Sequence, residues 1–222
     1  MDLLFYLLIL LIPLAAQIGI NINYGKYKQI ENSKKLSGQE VARKILDKHG
    51  LEKIYVVETP GNLSDHYDSS RKVVRLSPEI FRGETVAAMS VAAHECGHAI
   101  QDKEGYIMMR IRSLIFPVVN IGTKFSYIMI LIGFLSESFD LFMIGIALVS
   151  LGLLFQLVTL PVEFDASKRA LKILEEDGYV DASEHIGCTK MLRSAALTYV
   201  AGVLASALQI LRLILAFNRN RD

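Results

Sequence analysis

Four stretches of this chain are apolar for eighteen residues or more: Leu3 to Ile20, about Leu114 to Leu135, about Leu141 to Leu160, and about Ala195 to Phe217. Each is long enough to cross the roughly 30 Å of a bilayer's hydrocarbon as a helix. Lipid offers a backbone no hydrogen-bonding partner, so spans of this kind close their hydrogen bonds internally as helices. The composition agrees, because 52% of the 222 residues are hydrophobic, too many for an ordinary soluble domain. The first stretch reads as a retained span and not as a cleaved leader. Met1-Asp2 carries no positive charge, and Leu14-Ala15-Ala16-Gln17 is a poor cleavage site. Only Ser136-Glu137-Ser138-Phe139-Asp140 separates the second and third spans, so those two form a membrane hairpin.

The sequence divides accordingly into a span over 1–21, an α+β domain over 22–112, a transmembrane hairpin over 113–160, a helical segment over 161–193, a last span over 194–217 and a tail over 218–222. The expected fold class is a mainly α integral membrane protein, with about four transmembrane helices and a small α+β domain at the membrane surface. Gly145, Gly152, Ala201-Gly202 and Ala205-Ser206 are small residues that let helices approach closely in lipid. The net charge is +1, which leaves no footprint for nucleic acid. Two cysteines far apart, Cys96 and Cys188, give neither a disulfide framework nor a multi-cysteine metal site.

Within 22–112 the local signals are clear. Ser37-Gly38-Gln39-Glu40 opens a capped amphipathic helix that ends at His49-Gly50. Lys53 to Glu58 reads as a strand closed by Pro60-Gly61. Leu63 to Asp68 and Lys72 to Leu76 flank a turn and read as a hairpin. Ser77-Pro78 starts a short helix, with Ser77 as cap. After Gly83, a helix is expected from about Glu84 to Asp102. It contains Val91-Ala92-Ala93-His94-Glu95-Cys96-Gly97-His98.

On that helix His94 and His98 fall one above the other. Two imidazoles so placed can share a Zn²⁺, with Glu95 reaching the activated water as a general base. Cys96 lies off that face and reads as a small buried hydrophobe. A third ligand is needed, and the hairpin returns the chain to the side it left, so the ligand falls between Pro161 and Arg193. Steps of three and four from Glu163 reach Ala166, Ser167, Ala170, Leu171 and Leu174, a small and apolar stripe. The same steps from Asp165 reach Lys168, Arg169, Lys172 and Glu176, a solvated face. A carboxylate on the buried stripe needs a cation, which makes Glu163 the expected ligand and Asp165 a surface charge. Pro161 is expected to end the third span, with separate helices over 163–177 and 182–193.

These residues resemble a known group. His94-Glu95-Cys96-Gly97-His98, followed after a hairpin by Glu163-Phe164-Asp165-Ala166-Ser167, resembles the membrane gluzincins of the HtpX and CAAX-protease group, which read HExxH and then ExxAD. The whole chain is more similar to the YugP-type bacterial membrane zinc metallopeptidases. Gly61 to Asp68, Val91 to Gln101, Pro117 to Gly122, Pro161 to Ser167 and Ala195 to Ala201 carry that likeness. It implies a prokaryotic membrane peptidase with one Zn²⁺ per chain, His94, His98 and Glu163 as ligands and Glu95 as base. Ser167 departs from the pattern, standing where the wider group has an Asp that supports a ligand histidine. Ser167, Asp165 or Asp65 then takes that supporting place.

The function read from this is a membrane-embedded zinc endopeptidase acting on a peptide or protein substrate. The alternative is an inactive membrane scaffold or metal-binding regulator that keeps the motif. Tyr199, His185, His66 and Arg193 are the candidates for stabilising the oxyanion, with Tyr199 preferred for its apolar surroundings. The polar strand containing Asp65 and His66 is a candidate edge for holding an extended peptide. Lys26, Lys28, Lys34, Lys35, Arg110, Arg112, Lys168, Arg169, Lys172, Lys190 and Arg193 flank the spans on one side, so the positive-inside rule puts the metal helix in the cytosol.

Overall fold

The computed structural model describes residues 2–219. Its elements in chain order are α1 (Asp2–Tyr27), α2 (Gly38–Lys48), β1 (Tyr55–Glu58), β2 (His66–Asp68), β3 (Val73–Leu76), α3 (Pro78–Arg82), α4 (Val86–Glu104), α5 (Ile107–Leu135), α6 (Phe139–Glu176) and α7 (Ala182–Arg219). Helices α1, α5, α6 and α7 are each long and apolar enough to cross a membrane. The protein is therefore mainly α, a multi-pass membrane protein with a small α+β part. The chain forms two compact units.

One unit gathers Ile107–Pro161 with the chain up to Gln17 and from Thr198 onward. Its outer surface is apolar: Leu10, Leu114, Phe116, Val118, Ile121, Phe125, Leu131 and Leu154 are all exposed, as lipid-facing side chains are. Glycines set how closely α5 and α6 approach. A Cβ on Gly145 would lie 2.7 Å from the backbone N of Ile130, and one on Gly133 would lie 2.4 Å from that of Phe142. Gly145 thus does what its position in the sequence predicts. Gly202 does not, since a Cβ there meets nothing nearer than Gln156 Oε1 at 3.9 Å. Phe142 stacks on Phe217 at 4.0 Å between ring centres, closing the end of the hairpin against α7.

The other unit, Ile18–Tyr106 with Val162–Leu197, is built around α4. Ala87, Ala88, Ala92, Ala93, Cys96 and Ala99 of that helix are fully buried. Side chains this small let other helices press on α4 from several directions, and a helix covered all round needs no polar face. Val41, Ile45 and Leu46 of α2, Val74 and Leu76 of β3, and Ala170 and Leu174 of α6 complete the core. α2 starts with the expected capping box: the Ser37 side chain accepts from Glu40 N, and the Glu40 carboxylate accepts from Ser37 N. The sheet order is β1-β3-β2, with β1 parallel and β2 antiparallel to the central strand. The β2–β3 hairpin matches expectation and leaves β2 on an edge.

Three local expectations are corrected. Pro161 does not end the helix, because α6 runs through it to Glu176, although the unit that holds the spans does end there. Proline breaks helices in water, but a helix in an apolar setting has no better partner for its backbone and absorbs the ring. Likewise the segment after Asp181 is not a short helix followed by a separate span. α7 is continuous from Ala182, and no glycine or proline stands at 193–195 to interrupt it. Ser77 does sit at the N-cap of α3, but its side chain makes no capping bond. The hydroxyl turns instead to the Asp65 carboxylate at 3.1 Å.

Candidate metal centre

Helix α4 is held at both ends. The Thr85 hydroxyl accepts from Ala88 N at 3.2 Å. At the other end Gly105 adopts a left-handed conformation, φ 67°, and Tyr106 N returns to the Gln101 carbonyl at 2.9 Å. Between these caps the four-residue spacing sets the His94 and His98 rings edge to face, 4.7 Å apart. Gly97, on the same stretch, admits a second helix. A Cβ there would lie 2.7 Å from the backbone oxygen of Ala166, so α6 crosses α4 at backbone contact.

That crossing delivers Glu163. Its Oε2 lies 3.3 Å from His94 Nε2 and 3.6 Å from His98 Nε2. A tetrahedral zinc with bonds near 2.0–2.1 Å separates its ligand atoms by roughly 3.4 Å. The three groups are the one set among the described residues whose donor atoms all lie within 4.8 Å of one another. They are also well removed from water: Glu163 is 3% exposed and His98 7%. Burial alone would lower the pKa of His98, but hydrogen bonding to Glu163 and the charges of Glu95 and Glu163 outweigh it and raise the value. Two imidazoles with one carboxylate at this spacing suit zinc with a fourth position left for a water or substrate. The residues present fit the metal.

Glu95 is 7% exposed, next to both imidazoles. Its pKa is raised, chiefly by burial, with the histidines pulling the other way and Glu163 and Asp65 adding to the rise. A carboxylate whose pKa is raised is the stronger proton acceptor.

The far nitrogens of the two imidazoles are both engaged. His94 Nδ1 is 3.2 Å from Ser167 Oγ, the position where the wider group carries Asp. His98 Nδ1 is 2.9 Å from Gln101 Oε1. Gln101 is fully buried. Its amide Nε2 donates to the Val162 carbonyl at 2.8 Å and to Asp165 Oδ2 at 2.8 Å. Asp165 also binds Arg169, and Arg169 binds Glu104. Asp165, expected as a surface charge, is instead partly buried and bound to Gln101 and Arg169. The periodicity that set it apart from Glu163 could not register an amide arriving from another helix. Gln101 was not singled out by sequence, where it opens the polar run Gln101-Asp102-Lys103-Glu104 that ends the helix.

The remaining candidates are not members of the His94-His98-Glu163 group. Asp65 accepts from Ser77 N at 2.7 Å and ties β2 to the end of β3, with burial holding its carboxyl above the usual range. His66 is exposed, with Nδ1 2.7 Å from the Ser64 carbonyl. His185 faces Glu175 at 3.6 Å, and Arg193 is exposed. Tyr199 lies in the membrane unit and is 39% exposed. Cys96 is buried with Sγ 3.6 Å from the Ala42 carbonyl, which confirms it as core and not as a ligand.

A multi-pass helical protein with a buried His-His-Glu cluster on an HExxH helix has the makings of a membrane zinc peptidase. The chain belongs to the family described as putative neutral zinc metallopeptidases, whose profile matches residues 2–218. It is 44% identical over 207 residues to a protein of Bacillus subtilis (strain 168) described as "Putative membrane protease YugP", covering 93% of this chain and 92% of that one. No solved structure matches it. The cofactor of the family is zinc, and His94, His98 and Glu163 form the group able to hold it.

Proposed function

We propose that this chain is a gluzincin-type zinc endopeptidase of the membrane, with His94, His98 and Glu163 as ligands and Glu95 as general base. The observation that carries the reading is the meeting of His94 Nε2, His98 Nε2 and Glu163 Oε2 at ligand spacing beside a buried Glu95. When bound, zinc polarises the scissile carbonyl and lowers the pKa of a water. Glu95, beside both imidazoles, would accept a proton from the attacking water and return it to the leaving nitrogen, so that an amine and not an amide anion departs. Ser167 and Gln101 hold the imidazoles from behind.

Replacement of the base tests the reading. Glu95→Gln should bind zinc as the wild type does while losing about 10²–10⁴-fold in cleavage of casein or of itself. Zinc-loaded protein with equal activity in both forms would sink the proposal and leave the scaffold or regulator reading. Tyr199→Phe tests the phenol as an oxyanion donor. A fall of about 10²-fold in kcat with zinc content intact supports it, and an unchanged kcat removes it. The charge bias of the flanking segments supports a cytosolic site in a prokaryotic membrane.

A further inference from the structure

We infer that Gln101 is the positioning residue of this metal centre, and that Asp165 fixes which way its amide points. The inference rests on His94, His98 and Glu163 binding the metal. Its geometry is as follows. The Gln101 side chain is fully buried and spans from α4 to α6. On the α6 side it meets two groups that only accept, the Val162 carbonyl and the Asp165 carboxylate, both at 2.8 Å. An amide facing two acceptors must present its NH₂ to them. Oε1 is then turned to His98 Nδ1 at 2.9 Å, and it can only accept. His98 Nδ1 must therefore carry a proton, and Nε2, which faces Glu163, is the nitrogen left to give up its own to a metal. Asp165 cannot turn over in response, because Arg169 holds it and Glu104 holds Arg169.

A metal-binding histidine needs this kind of support, and elsewhere it comes from a carboxylate or a backbone carbonyl. Here a neutral amide delivers it and takes its direction from a carboxylate one step further out. The same amide bonds to the carbonyl of Val162, the residue before Glu163, so it also sets the height of the third ligand along α4. Tautomer and ligand spacing are governed by one side chain. Ser167 serves only His94, at 3.2 Å.

The test uses the full chain in detergent or nanodiscs, with zinc affinity measured by chelator competition and the visible spectrum of the Co²⁺-substituted protein as a second readout. Gln101→Leu keeps most of the volume and removes the acceptor. It should weaken zinc binding about 10–100-fold and change the Co²⁺ spectrum. Gln101→Glu restores an acceptor for His98 and should recover part of the affinity, which a packing role alone would not predict. Asp165→Asn lets the amide turn over and should give a smaller loss of the same kind. Wild-type affinity and spectrum in Gln101→Leu would overturn the inference. If that variant does not fold, Asp165→Asn decides, and an unchanged affinity and spectrum there overturns it. A wild-type chain that binds no zinc removes the inference together with the metal centre. Zinc binding that responds to Gln101 while Glu95→Gln keeps full activity would leave the inference standing and sink the peptidase mechanism alone.

Discussion

At residue scale the centre depends on one carboxylate and one missing side chain. Glu163→Ala removes the proposed third ligand and should lower zinc occupancy at equal total metal, read by elemental analysis of the purified protein. Unchanged zinc would move the third ligand elsewhere. Gly97→Ala adds a methyl group where the nearest atom is the Ala166 backbone oxygen at 2.7 Å. Neither helix backbone can rotate out of the way, so α4 and α6 must part. Overpacking of this kind costs about 1–3 kcal/mol, visible as a lower melting temperature. The widened crossing should also weaken zinc binding, and a Gly97→Ala protein with wild-type melting and affinity would refute the close approach. His94, Glu95 and His98 were legible in the sequence because their spacing maps directly onto one helix face. Glu163 was legible because its stripe is otherwise apolar. Gln101 and the true partner of Asp165 were not, because a bond between helices depends on how those helices cross, and no periodicity within either one contains that.

Element by element, the sequence was most readable where a local rule governs. The capping box of α2 is such a case, and Ser37→Ala should destabilise the protein by about 1 kcal/mol in thermal or denaturant unfolding. Its partner Glu40 gives a pH test. The Ser37 backbone N–H, then its hydroxyl, hold the Glu40 carboxyl below its ordinary pKa. A depressed carboxylate stabilises the fold above the unfolded-state value and loses that contribution as pH falls through the folded-state value. A stability gap between wild type and Glu40→Gln is therefore expected at neutral pH and should close in acid below the usual carboxylate range. A gap independent of pH would mean that the charge plays no part in the cap. Reading failed where lipid changed the rule. Pro161 looked like a stop and is an interior residue of α6, and the segments before and after 194 looked like separate helices and are one.

For the whole molecule the metal matters beyond chemistry. A ligand that binds only the folded chain stabilises it by mass action, about 2.7 kcal/mol when present at a hundred times its Kd. Stripping with a chelator should lower the melting temperature and abolish cleavage, and added zinc should restore both. Activity that survives exhaustive stripping would exclude a zinc-dependent reaction. Sidedness is also decided at this scale. Ser136 is exposed in the turn between α5 and α6, and the proposed cytosolic side for the metal helix would, with four spans, put that turn outside the cell.

The burial of both native thiols bears on that last question. Cys96 and Cys188 are free and fully covered, and burial pushes the Cys96 thiol far above its usual pKa. Thiolate, the form that alkylating reagents attack, is thus scarce and shielded at Cys96. Nature has supplied a background that topology mapping normally has to engineer. A single cysteine introduced at Ser136 should be the one position that reacts with a membrane-impermeant maleimide on intact cells, with nothing first removed from the chain.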